Sequence, residues 1–316
     1  MTGASGFCGG AVARLLDAEG HHVVTLGRRP AGVGEWRRWE AATDAPDLAD
    51  VDAVIHLAAA VGDPRPGLDA REFERVNVDG ARRLLSAAGR RPVVWVSSSS
   101  VYDPRPDRRL VTEDHPTDGG HLNAYGRTKA RGDRLALDAG AVVLRPRAVY
   151  GPGDPHLLPR LLRAVRRGRV LLPGADVELT LTHVDNLATA CVAALGWSPG
   201  PYNVADGAPV RRDETLARVL GAALARPVAV GHLPLPVARA AARGLDALAR
   251  VTRREPLLTP YAVDTLAHPF CLDTTRARAT GWQPAGLMAD YLTSLERCPP
   301  DCVPPTRSRS PRRSTG

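Results

Sequence analysis

Hydrophobic and polar positions along the first half of the chain follow two different periods, one helical and one typical of buried strands. Apolar residues recur at helical spacing from Phe7 to Glu19, and Gly20 ends that segment. A second helical pattern covers about residues 70–88, and a third covers NAYGRTKARGDRLALDAG. Between these patterns lie short apolar runs that predict strands: HHVVTL, DAVIHLAA (52–59), PVVWVS and AVVLRP. The alternation predicts right-handed βαβ crossovers and an α/β fold of the Rossmann type, a doubly wound parallel sheet.

The pattern changes beyond Pro146, where the loop VYGPGDPHLLP is rich in Gly and Pro. Short strand patterns (VELTLT, PYNVA) then mix with helical ones (VDNLATACVAAL, RRDETLARVLGAAL). We expect a dinucleotide-binding domain over 1–150 and a smaller C-terminal substrate-binding domain over 151–297 that also returns segments to the sheet. The Pro-, Ser- and Arg-rich residues 298–316 predict a disordered tail.

The chain begins with MTGASGFCGG, which is the type of glycine-rich turn that joins a buried strand to a helix. Gly3 permits a tight turn, Gly6 lets the backbone approach a pyrophosphate, and Gly9 lets the helix pack closely. Only Met1 stands where the strand should be. Because that strand is central in such sheets, we expect it to lie upstream of Met1, with the start of the chain placed too late.

Composition and charge restrict the class of protein. The five cysteines are odd in number and scattered, which predicts reduced thiols and no metal site. The net charge is +8, but Arg307, Arg309, Arg312 and Arg313 in the tail supply half of it, so no nucleic-acid partner is predicted. No apolar run is long enough to span a membrane and no leader pattern is present. We therefore expect a cytoplasmic protein with a small-molecule substrate.

Of the 42 Lys and Arg residues only Lys129 is a lysine, and it follows Tyr125 by four positions, on the same face of a helix. A neighbouring ammonium lowers the pKa of a tyrosine hydroxyl and fits it for acid–base work near neutral pH. The predicted strand VVWVSSSSVY ends in four serines, which places hydroxyl groups at the carboxyl edge of the same sheet. These residues predict a site for hydride transfer.

With these motifs the chain resembles the extended short-chain dehydrogenase/reductase family, also called the NAD-dependent epimerase/dehydratase family. The resemblance covers about residues 2–296 and rests on TGASGFCG, DAVIHLAA, NVDGARRLL, SSSSVY, YGRTK, LRPRAVYGPGD, THVDNLA, YNVADGAPV and LDTTRARATGWQP. It implies that Tyr125 is the acid/base, that Lys129 is its partner and a ribose ligand, and that Ser98 orients the substrate. The residues it implies for cofactor binding are Gly3, Ser5, Gly6, Phe7, Gly9, Arg28, Arg29, Leu57, Ala58, Ala59, Asn77, Tyr125 and Lys129.

The end of HHVVTLGRR bears on the choice of cofactor. NAD enzymes of this type place a carboxylate there, whereas this chain has Gly27 followed by Arg28 and Arg29. Space and positive charge favour NADP(H), and NAD(H) is left open.

Two positions bear on the branch of the family. Nucleotide-sugar enzymes usually hold the diphosphate with an asparagine near Ala148 and an arginine near Leu179, and both are absent. The later motifs look more like the 3β-hydroxysteroid and sterol dehydrogenase branch. We expect an oxidoreductase that interconverts a secondary hydroxyl and a ketone on an apolar, sterol- or polyketide-like molecule. Two alternative functions are left open: a nucleotide-sugar epimerase or ketoreductase, and a non-catalytic NADP-binding sensor. A homodimer is also left open.

Overall fold

The computed structural model describes residues 1–62, 70–105, 107–252, 256 and 258–297. The predicted tail, with Cys298 and Cys302, lies outside the described residues. The helices are α1 Phe7–Ala18, α2 Ala70–Glu74, α3 Gly80–Ala88, α4 Ala124–Asp138, α5 Leu157–Ala164, α6 Val184–Ala193, α7 Arg212–Leu224, α8 Leu235–Thr252, α9 Pro260–Ala267, α10 Thr275–Arg278 and α11 Met288–Arg297. A π-helical turn covers Arg75–Asp79, and short 3-10 turns cover Ser99–Val101 and Ala194–Gly196.

The main sheet is parallel and matches the predicted doubly wound α/β class. Its strands are β1 Val24–Gly27, β2 Glu35–Arg38, β3 Val54–His56, β4 Val93–Val96, β5 Val142–Pro146 and β10 Gly200–Val204. They follow the order β2-β1 on one side and β3-β4-β5-β10 on the other. All of these pairings are parallel.

The first two residues join the halves of this sheet. Thr2 forms parallel bridges with Leu26 of β1 and with His56 of β3. The Met1 carbonyl accepts a hydrogen bond from the Leu26 N–H at 2.8 Å, and the Thr2 N–H donates to the Ile55 carbonyl at 3.0 Å. Met1 and Thr2 therefore lie between β1 and β3, directly before the glycine turn, where the central strand of the sheet is expected.

Helices cover both faces of the sheet, and the two-residue period of the strands divides their side chains between two cores. In β4, Val94 and Val96 pack with α1 and α6, whereas Val93 and Trp95 pack with α3 and α4. Both sets are buried, which accounts for the continuous apolar run in the sequence. Helices thus pack against both faces of the sheet.

The second half forms three small sheets. They are built from β6 Val149–Tyr150 with β9 Thr182–His183, β7 Arg169–Pro173 with β12 Ala229–Leu233, and β8 Glu178–Leu179 with β11 Val210–Arg211. Most of the segment PYNVA lies in β10, which pairs with β5 at the edge of the main sheet, so this segment of 151–297 returns to that sheet. The domain division at residue 150 stays a prediction.

Two elements of the structure differ from those predicted by the hydrophobic periodicity. The helix expected over residues 70–88 is divided by the π-helical turn, which brings Asn77 inward. The strand β2 was not predicted, because its four residues include three charged ones and none of them is buried. Among the described residues, no helix combines the length and apolar character needed to cross a membrane.

Candidate active site

The glycine turn lies at the carboxyl edge of the sheet and is packed so closely that side chains are excluded. A Cβ atom on Gly9 would lie 2.1 Å from the Gly3 carbonyl oxygen, and one on Gly3 would lie 2.8 Å from the Ala58 nitrogen. Gly6 is the N-cap of α1 and brings no side chain to its first N–H groups. Ser5 is exposed and Phe7 is half-buried at the first turn. Free N–H groups and the positive end of the helix dipole suit a pyrophosphate.

The loop after β3 is fastened to the same turn. The Thr2 hydroxyl oxygen accepts hydrogen bonds from the N–H groups of Leu57 at 3.2 Å and Ala58 at 3.1 Å. The Asn77 amide bonds to both backbone groups of Ala60, at 2.8 and 3.0 Å, and donates to the Thr128 hydroxyl at 3.1 Å. Asn77 thereby connects Ala60, which directly follows the Leu57–Ala59 loop, to Thr128 of α4.

Ser98 and Tyr125 are brought together by β4 and α4. Ser98 follows β4 and caps the 3-10 turn, where its Oγ accepts from the N–H of Ser100 at 3.2 Å and lies 3.0 Å from the Ser100 Oγ. Burial raises the pKa of Tyr125 above its ordinary value, and hydrogen bonds from Ser98 and Ser100 partly oppose this rise. Ser100, which the sequence reasoning did not include, is therefore the third hydroxyl of the cluster.

Lys129 lies one turn after Tyr125 and is buried. Its Nζ donates to the Val96 carbonyl at 2.8 Å and lies 5.8 Å from the Trp95 ring centroid. Burial lowers the Lys129 pKa to about 8. The expected lowering of the Tyr125 pKa is not found, because burial of the hydroxyl is the largest effect and acts in the opposite direction.

His56 lies behind these residues and stays neutral. Its Nδ1 is 2.8 Å from the Thr2 hydroxyl, and its ring stacks on Trp95 at 4.1 Å between centroids. Burial, with a smaller contribution from the Lys129 charge, lowers the His56 pKa to about 3. A neutral, stacked imidazole is a packing element of the sheet.

Arg28 and Arg29 directly follow β1 and are exposed. The Arg28 side chain is 75% exposed, and its Nε lies 3.7 Å from a Glu40 carboxylate oxygen. Such a surface pair is weak and leaves the guanidinium open to a stronger anion.

A cavity in the second half is bounded by α5, α7 and α11. Its volume is about 100 Å³, and its surface is almost wholly apolar. Ala148 and Leu179 lie in its wall, together with leucines such as Leu158 and Leu216. Ala148 and Leu179, which stand where nucleotide-sugar enzymes have diphosphate-binding residues, therefore belong to the wall of an apolar cavity.

The comparisons with known proteins agree with this architecture. Residues 1–205 match the NAD dependent epimerase/dehydratase family. The chain is 30% identical to the 2-alkyl-3-oxoalkanoate reductase of Stenotrophomonas maltophilia, over 94% of this chain and 97% of that protein. It is 31% identical to the decarboxylating sterol-4-alpha-carboxylate 3-dehydrogenase of Candida albicans, over 48% of this chain and 45% of that protein. A solved structure of MoeE5 in complex with UDP-glucuronic acid and NAD aligns with a TM-score of 0.69 at 26% identity, covering 94% of this chain and 97% of that one.

The chain therefore belongs to the NAD dependent epimerase/dehydratase family. It is a nicotinamide-dependent enzyme with a Rossmann-type fold, and its likeness to the sterol dehydrogenase branch is confirmed. The glycine turn and the uncapped α1 fit the cofactor's pyrophosphate. No group of three metal-ligating side chains occurs within the part of the chain that the structure describes.

Proposed function

We propose that the enzyme interconverts a secondary hydroxyl and a ketone on an apolar small molecule. The observation that supports this most strongly is the apolar cavity whose wall includes Ala148 and Leu179. A nucleotide diphosphate needs polar and cationic ligands, whereas these two side chains offer only apolar contact. The Stenotrophomonas relative, named as a reductase of an alkyl-substituted oxoalkanoate, agrees with such a substrate.

Tyr125 and Ser98 have the chemistry that this reaction needs. A nicotinamide cofactor bound at such a site supplies or accepts the hydride. Because burial raises its pKa, the Tyr125 hydroxyl keeps its proton near neutral pH and can donate it to the oxygen of a ketone. Ser98, held by Ser100, hydrogen-bonds the same oxygen and orients it toward Tyr125. The Lys129 ammonium, which donates to the Val96 carbonyl, would also hold the ribose of the bound cofactor.

We further propose NADP(H) as the preferred cofactor. Arg28 and Arg29 offer two exposed guanidinium groups at the end of β1, where an acidic residue would receive the ribose hydroxyls of NAD. A 2′-phosphate would accept charge-assisted hydrogen bonds from both.

A nucleotide sugar is the second candidate substrate, and the likeness to MoeE5 with its UDP-sugar supports it. In that case a hydride removed from the sugar returns to it, and the cofactor shows no net change. An oxidoreductase consumes cofactor in proportion to product, so the two functions differ in a quantity that is easily measured.

A substrate screen tests the proposed function. NADPH oxidation is followed by absorbance with a panel of alkyl and alicyclic ketones. A competing panel of UDP- and dTDP-sugars is incubated with the cofactor, and their conversion is followed by chromatography, because an epimerase would not change the absorbance. We expect turnover only with the apolar ketones, since their chains fit the cavity. Turnover restricted to the sugars would contradict the proposal.

A further inference from the structure

Arg147 is a buried arginine that the proposed reaction does not use. It directly follows β5, and its side chain is 6% exposed. It lines the apolar cavity and also a second, smaller cavity, whose wall includes Ser100 and Gly126 of the Tyr125 region. Arg147 therefore stands between the space for an apolar body and the hydroxyl cluster.

Other buried arginines of this region have carboxylate partners. Arg145 bonds to Asp133 at 2.6 Å, Arg108 to Asp264 at 2.9 Å, and Arg212 to Asp213 at 2.8 Å. No ion pair is found for Arg147 among the described residues. Its Nη2 makes one long bond, 3.4 Å to the Thr265 carbonyl, and its buried Nε has no partner. Its guanidinium also lies 4.1 Å from the Phe270 ring centroid.

A buried guanidinium with so few partners is costly to the folded state, since each unsatisfied donor loses its water. Burial lowers the pKa of Arg147 to about 10, so the group is still charged near neutral pH. The cation–π contact with Phe270 offsets only part of the lost hydration. A ligand anion would provide the missing partner.

The surroundings restrict what that anion can be. The neighbouring cations Arg108 and Arg212 form ion pairs with Asp264 and Asp213, whereas Arg147 has no carboxylate within ion-pair distance in the described part of the chain. One guanidinium balances a monoanion and matches a carboxylate, whereas a diphosphate needs more than one cation. The adjoining cavity has almost no polar surface, so the rest of the bound ligand must be apolar.

We infer that Arg147 is a substrate-binding residue that pairs with a carboxylate, and that the substrate is an amphipathic monoanion whose apolar chain fills the cavity. This inference rests on the proposed function, because the small cavity would place the carboxylate end beside Ser100 and hence beside the reacting oxygen. The enzyme would then select oxo acids over neutral ketones of the same length.

Direct binding tests this without turnover. Decanoate and decanamide have the same chain and nearly the same shape, and differ in charge. Calorimetry on the protein saturated with NADPH should show decanoate binding about tenfold or more tightly, as expected for a charge-assisted pair. In Arg147→Met the two ligands should bind equally. Arg134→Met, which changes an arginine that is 78% exposed on α4, is the matched control and should keep the preference.

The melting temperature provides an independent readout. Removing an unpaired buried charge should leave the Arg147→Met melting temperature unchanged or raised in the absence of ligand. Equal binding of decanoate and decanamide to the wild type, or a preference that persists in Arg147→Met, would overturn the inference. The inference would also be overturned if UDP competed with decanoate and bound more tightly than decanoate does. A decanoate preference in a protein that reduces no ketone would instead overturn the proposed function alone.

Discussion

At the scale of single residues, Arg28 and Arg29 determine the expected cofactor preference. Arg28→Asp combined with Arg29→Ala should weaken NADPH binding by about a hundredfold or more, since charged hydrogen bonds to phosphate contribute about 1.5–3 kcal/mol each and the variant removes both. NADH binding should stay the same or tighten. Fluorescence titration of both cofactors measures this, with Arg134→Ala as a surface control. Equal losses for NADPH and NADH would show that the two arginines do not read the 2′-phosphate.

The lowered pKa of Lys129 leads us to expect that cofactor binding depends on pH. Its pKa is lowered to about 8, so its positive charge is present below pH 8 and is lost as the pH rises above it. The dissociation constant for NADPH should therefore rise between pH 8 and 9.5, approaching tenfold per pH unit at the limit. Lys129→Arg stays charged, so its binding should be weaker at pH 7 but flat with pH. A flat profile in the wild type would contradict a ribose contact by this ammonium.

Site residues could be predicted from the sequence where their spacing along a helix brings them together. They could not be predicted where their role depends on the neighbours that they acquire in the folded structure. Tyr125 and Lys129 could be paired from their four-residue separation, because a helix places them on one face. Ser100 and Arg147 could not be singled out. Ser100 is one of four consecutive serines, and Arg147 is one of 41 arginines whose lack of a partner appears only after folding.

At the scale of elements, the glycine turn predicts a contrast between neighbouring positions of α1. In Gly9→Ala the added methyl would lie 2.1 Å from the backbone oxygen of Gly3, so the turn must move. We expect a loss of about 1–3 kcal/mol in the free energy of unfolding and a large loss of NADPH binding. Gly10→Ala is the control, since its methyl would meet the movable Arg14 side chain at 3.3 Å.

Chemical denaturation and cofactor titration of both variants check this contrast. Gly10→Ala should be as stable as the wild type or slightly more stable, because alanine is the better helix former. Wild-type stability and NADPH affinity in Gly9→Ala would contradict the role assigned to the close approach at this turn.

Elements with a strong apolar period were predicted well, and those without it were not. The strand β4 and the helix α4 follow from their patterns, whereas β2 is a solvent-exposed edge strand whose Glu and Arg residues resemble a loop. The π-helical turn at Arg75–Asp79 has no signature in hydropathy. It accompanies the close approach of α4, where a Cβ on Gly132 would lie 2.6 Å from the Asn77 carbonyl oxygen.

At the scale of the whole molecule, parallel topology explains why the predicted site residues meet. Thr2, β3 and β4 are neighbours in the sheet, so the segments that follow them meet at one edge: the glycine turn, the Leu57–Ala59 loop and Ser98. The sequence could predict this edge from the order of elements alone. It could not predict the apolar cavity, since that requires α5, α7 and α11 to be placed relative to one another.

The central claim is that this site performs a net hydride transfer to an apolar ketone with Tyr125 as the proton donor. The most direct measurement follows deuterium from NADPH that carries deuterium at both C4 positions into the product by mass spectrometry, in the wild type and in Tyr125→Phe. We expect one deuterium per product and one NADPH oxidised with it. In Tyr125→Phe the rate should fall by about 10²-fold or more while NADPH still binds. Undiminished deuterium transfer in Tyr125→Phe, or product formed without net oxidation of NADPH, would contradict the account.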